Sequence, residues 1–113
     1  MGYIRHHAIL VTVSADDAER VRGMLMAAAA GRVNVSEPVP GTINHEATIL
    51  VAPDCSKEGW PHSYGGDDAR DDIVRLLRER SGFYAAWCEV MYGDEMGGLS
   101  IRDARNEAAH YAD

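Results

Sequence analysis

Residues 52–64, APDCSKEGWPHSY, hold the densest run of chemically capable side chains. A thiol (Cys55), an amine (Lys57), a carboxylate (Glu58), an imidazole (His62) and two aromatics (Trp60, Tyr64) follow one another closely there. Two chemistries fit that set. Cys55 as nucleophile with His62 as base and Glu58 nearby would make a small hydrolase or isomerase site. Such a site needs a further group to orient the base, and the spacing supplies none. Recognition is the other chemistry: Trp60 and Tyr64 offer large flat surfaces, and Lys57, Glu58 and His62 offer hydrogen-bonding groups between them. Loops of that composition carry binding sites on many scaffolds. The plainer alternative, Trp60 folded back on the sheet edge as a pin for the loop, stays open beside it. We therefore take Lys57, Glu58, Trp60, His62 and Tyr64 as binding candidates, joined by Arg5 and His7 from the first strand, and assign no catalytic residue.

Other arrangements can be set aside on geometry. His6 and His7 are adjacent on a strand and point to opposite faces, so they cannot share a metal ion without a bulge. His45, His62, His110 and Cys55 lack ligand spacing. Neither a metal nor a cofactor is expected. SYGGDD puts glycines ahead of a helix pattern, but Asp67 and Asp68 stand where a phosphate loop needs bare amides and a cation.

The elements that must position these residues are legible from periodicity. The chain has 113 residues, enough for one core. Residues 3–13, YIRHHAILVTV, alternate as a first strand with Arg5, His7, Ile9, Val11 and Val13 on one face. A helix follows, with Ser14 as cap, Ala18, Val21, Leu25 and Ala28 as core stripe, and Gly31 as stop. Val33–Ser36 reads as a second strand. EPVPGTIN then turns the chain, since Pro38 and Pro40 do not continue a ladder. HEATILVA is the third strand. GGDDARDD reads as the start of a second helix, its acids matched to the positive end of the dipole, with Ala69, Ile73, Leu76 and Leu77 as apolar stripe. FYAAWCEVMY is the fourth strand.

The resulting order, βαββαβ, predicts an α+β ferredoxin-like sandwich, an antiparallel sheet with two helices on one face. It spans residues 1–98 as one domain. The tail, 99–113, reads as a short edge strand at Leu99–Ile101 and a weak helix through Ala104, Ala108 and Tyr111, or as partly disordered chain. On the face away from the helices, alternation groups Leu10, Leu50, Trp87 and Met91 into an apolar patch. A monomer seldom leaves such a patch bare, so we expect a homodimer through it, unless the tail folds over it.

The formal net charge of −7 argues against nucleic acid as a partner, because phosphate binding needs a basic face. In residues 52–72 six acids stand against Lys57 and Arg70, a balance of −4. No apolar run is long enough for a bilayer, so no membrane partner is expected. The opening MGYIRHH lacks the features of a secretory leader, and the two cysteines form no framework, which together predict cytoplasmic residence with free thiols.

At GYIRHHAILVT, APDCSKEGW and WCEVMYGDE the sequence resembles a group of small uncharacterised accessory proteins of bacteriophages that infect actinobacteria. The likeness covers most of residues 2–95, leaving out 22–44 and the tail after Leu99. It implies a viral accessory protein made in the host bacterial cytoplasm and brings no catalytic residues. The resulting expectation is a nonenzymatic module that binds a host protein, as an inhibitor or counter-defence factor. Two alternatives stand beside it. One is a sponge for a nucleotide-type defence signal, with Trp60 or Tyr64 stacking the base and Arg5 and Lys57 meeting phosphate. The other is the Cys55 and His62 hydrolase.

Overall fold

A computed structural model of the chain describes residues 5–56, 61–79, 82–93 and 100–105. Within them the chain forms β1 (Arg5–Ser14), α1 (Ala18–Ala29), β2 (Val39–Pro40), β3 (Glu46–Val51), α2 (Pro61–Glu79), β4 (Ala86–Gly93) and β5 (Ser100–Arg105). The strands make one sheet of order β2-β3-β1-β4-β5, antiparallel at every junction. β1 is the central strand, with Leu10 opposite Leu50 on one side and Cys88 on the other. Since β3 and β4 both run against β1, they run parallel to each other, and the α2 connection crosses over β1. By the same logic α1 carries the chain from β1 past β3 to β2. The fold class is α+β.

The alternation of β1 sets the two faces. Ile9, Val11 and Val13, with Ala47, Ile49 and Val51 of β3, are buried against Val21 and Leu25 of α1 and Ala69, Ile73 and Leu77 of α2. Trp87, Phe83 and Ala85 complete that core. Arg32 ties the two helices together: its Nη2 donates to the Ala28 carbonyl and to Asp72 Oδ2, both at 2.9 Å, and its Nε donates to the Ala29 carbonyl at 3.0 Å. Carbonyls left open at the end of α1 are thereby satisfied.

Several expectations are corrected. The second strand is not Val33–Ser36, of which only Val35 forms a bridge, to Val51. The paired residues are Val39 and Pro40, inside the stretch expected to turn. A proline is tolerated there because β2 lies at the sheet edge, while Pro38 interrupts the ladder between the two contacts. Arg22 holds the intervening chain from α1, donating through Nε to the Ser36 carbonyl at 2.9 Å. The stripe of α1 ends on Ala29 rather than Ala28, and Asp17, not Ser14, occupies the cap position, without a side-chain cap bond. Helix α2 begins at Pro61, six residues before Asp67, with no acid in its first turn. Proline suits the first helical position, where its missing N–H is no loss. The aspartates of α2 serve ion pairs: Asp67 with Arg70, and Asp72 with Arg32 and Arg75. Ala104, expected in a helix, lies in β5 opposite Cys88.

Candidate functional site

The residues after β3 leave the sheet at the end where β1 begins and β4 finishes. Val51 is level with Ile9 and Glu89, and beyond it the remaining rows of β1 and β4 run out to Arg5 opposite Gly93. Residues 52–56 are shaped by Asp54. Its Oδ1 accepts the Ser56 amide at 3.0 Å and the Ser56 hydroxyl at 2.9 Å, a local turn of the kind aspartate favours. Its Oδ2 faces α2, where Arg70 Nη2 lies at 3.7 Å, an ion-pair distance too long for a hydrogen bond. The same Nη2 donates to Asp67 Oδ1 at 2.8 Å.

Arg70 is only 2% exposed. It occupies the apolar stripe of α2, one turn before Ile73 and Val74. A buried guanidinium is costly unless paired, and here two carboxylates from different segments pair it. Gly66 permits the arrangement, because a Cβ at that position would run into the Asp54 carboxylate. Cys55, between Asp54 and Ser56, adopts a left-handed backbone (φ 62°), and its exposed thiol points to the Pro53 carbonyl at 3.8 Å. The loop thus has a strained, pinned exit from β3.

Of the expected binding residues, Lys57, Glu58 and Trp60 lie outside the described residues. His62 falls in the first turn of α2, and Tyr64 of the same turn is 59% exposed. Arg5 opens β1 at the same end of the sheet as the loop. His7 is buried, on the helix-covered face opposite Met91, and it neighbours buried Glu89 diagonally. The ionisable residues that sequence reasoning missed are Arg70 and Glu89, both at core positions.

The open face of the sheet differs from the expected patch. Leu10 and Leu50 stand side by side there, 42% and 37% exposed. Trp87 does not join them: it pairs with Val11 and is buried on the helix side, and Met91, level with His7, shares that side. The neighbours of Leu10 are instead Cys88, Ala8 with Val90, and His6 with Tyr92, whose rings lie 5.0 Å apart. Towards the other end come Thr12 and Thr48, their hydroxyls hydrogen-bonded at 2.7 Å, flanked by Ala86 and Val39. None of these eleven positions carries Asp, Glu, Lys or Arg, and the next row of the same face pairs Ser14 with exposed Glu46.

At that end of the face a shallow cleft of about 210 Å³ is lined by Thr12, Ser14, Glu46 and Ala86 together with Asp17 and Tyr84. Among the described residues no group of three or more His, Cys, Asp or Glu is placed to hold a metal ion, and no helix is long and apolar enough to cross a membrane. No protein-family model, curated protein or solved structure matches this chain.

Proposed function

We propose that the chain is a nonenzymatic binding module that engages a host protein through residues 57–64 and the adjoining ends of β1 and β4. The observation that carries this reading is the mount of the loop: a buried arginine, two carboxylates and a glycine whose Cβ position is taken by the Asp54 carboxylate hold its exit from β3. A connection with no task beyond joining β3 to α2 has no need of a buried ion pair, which contributes little net stability. Fixing a recognition loop before it binds lowers the entropy cost of association. The frame is read as ferredoxin-like with β5 added, supported by the order β2-β3-β1-β4 and by helices in both crossovers. The phage setting rests only on the resemblance over most of residues 2–95, with 22–44 left out.

The test is enrichment from actinobacterial lysate with wild type and Trp60→Ala side by side, followed by reconstitution with the purified partner. A central aromatic contact is worth 2 kcal/mol or more, about 30-fold in affinity. The expected result is one stoichiometric host protein lost with Trp60→Ala while the melting temperature stays within a few degrees. A large fall in stability would make Trp60 a pin of the fold. A co-purifying mass of a few hundred daltons in native mass spectrometry would move the assignment to a nucleotide sponge.

A further inference from the structure

We infer that the cleft where β1 ends and β3 begins is a binding site for an alkylammonium group, as carried by a lysine side chain of a partner protein. Its walls come from separate parts of the chain. Thr12 and Ser14 end β1, Glu46 opens β3, Ala86 opens β4 with Tyr84 two residues before it, and Asp17 stands at the cap of α1. This is the end of the sheet opposite the loop after β3, so the inference does not rest on that loop. The volume of about 210 Å³ lies below the roughly 300–1,000 Å³ of sites that enclose a small organic molecule. It suits the end of one side chain and is too small for a nucleotide.

The lining selects a cation on an apolar stem. Tyr84 is 55% exposed, and its ring offers a flat wall to methylene groups and a π face to a positive charge. The Glu46 carboxylate has no hydrogen bond or ion pair among the described residues. Asp17 gives Oδ1 to Arg20 Nη2 at 3.1 Å and keeps Oδ2. Arg20 does not line the cleft, and the same Nη2 is also held by the Gly82 carbonyl at 2.6 Å. Thr12 adds a hydroxyl oxygen fixed by its 2.7 Å bond to Thr48, and Ser14 adds another. These oxygens stand on different elements. Such scattered acceptors match the three rotatable donors of an ammonium, whereas a guanidinium fork wants both oxygens of one carboxylate in its plane. An anionic ligand would meet two carboxylates here, and the net charge of −7 favours approach of a basic partner.

The test titrates the full-length, ¹⁵N-labelled chain with Nα-acetyl-lysine methylamide at constant ionic strength, reading backbone amide shifts residue by residue. The norleucine and arginine analogues serve as comparators. One exposed ion pair with a ring contact predicts a Kd on the order of tens of millimolar. The expected result is saturable shifts at Ser14, Glu46 and Ala86, no saturation with the norleucine analogue, and binding at least about threefold weaker with the arginine analogue. Glu46→Gln and Tyr84→Leu should each weaken the lysine analogue by at least about threefold, while Tyr84→Phe, which keeps the ring, should retain it. Trp60→Ala should leave the titration unchanged. If Tyr84→Leu fails to fold, Glu46→Gln at its exposed strand position decides. An absence of saturable shifts at these amides, or binding that Glu46→Gln leaves intact, would overturn the inference. Equal response to the norleucine or arginine analogue would overturn the ammonium assignment, and shifts as large at Asp67–Asp72 would reduce the effect to general charge screening and overturn the site.

Discussion

Replacing Arg70 separates the cost of a buried ion from the cost of a cavity. Its guanidinium is held by Asp67 and faces Asp54, but its Nε and Nη1 have no hydrogen-bond partner among the described residues. Arg70→Ala removes the cation from a carboxylate whose Oδ2 is itself buried without a hydrogen bond. Breaking a fully buried pair costs about 3–5 kcal/mol. Here Asp67 is 39% exposed and rehydrates cheaply, and Asp54 retains 18% exposure, so about 1–2 kcal/mol is the electrostatic share. The lost methylenes add about 1–2 kcal/mol. The expected total is about 2–4 kcal/mol, a fall in melting temperature on the order of 10–25 °C for a domain of this size. Arg70→Met keeps most of the stem and deletes two unsatisfied donors, each costing about 1–3 kcal/mol. It should therefore unfold at least about 1 kcal/mol later than Arg70→Ala, and adding Asp54→Asn to the Met variant should recover part of what remains. Urea unfolding of the four proteins gives the energies, and hydrogen exchange at the Ser56 amide reports on the loop. An Arg70→Ala variant within about 0.5 kcal/mol of wild type, or a Met variant less stable than the Ala one, would refute the reasoning.

Two neighbouring glycines of α2 should respond oppositely. Gly65→Ala meets no atom within 4 Å and should stabilise by up to about 1 kcal/mol, whereas Gly66→Ala must displace the Asp54 carboxylate and should cost about 1–3 kcal/mol; thermal unfolding decides both signs. Arg32→Ala should cost about 1 kcal/mol in urea unfolding by uncapping α1 and releasing Asp72, and Arg32→Lys should restore only part of it, because one ammonium cannot reproduce three placed donors.

How much of this was legible depended on whether one physical signal or two competing ones acted on a residue. In β1 the odd positions from Ile9 to Val13 are aliphatic, and their burial followed directly from alternation. In β4 alternation correctly grouped Trp87, Glu89 and Met91, but the group was put on the wrong face. Glu89 argued for solvent and Trp87 for the core, and the tryptophan's larger apolar area prevailed. The acids of residues 67–72 were read as serving the helix dipole, worth tenths of a kcal/mol, when partners distant in sequence had a stronger claim on them. Arg32 lies 40 residues from Asp72, a pairing that no local pattern reveals. Arg70 was more accessible to reasoning. It sits four residues before Val74 and seven before Leu77, on the stripe that was read as apolar, and a cation in that phase signals a buried pair.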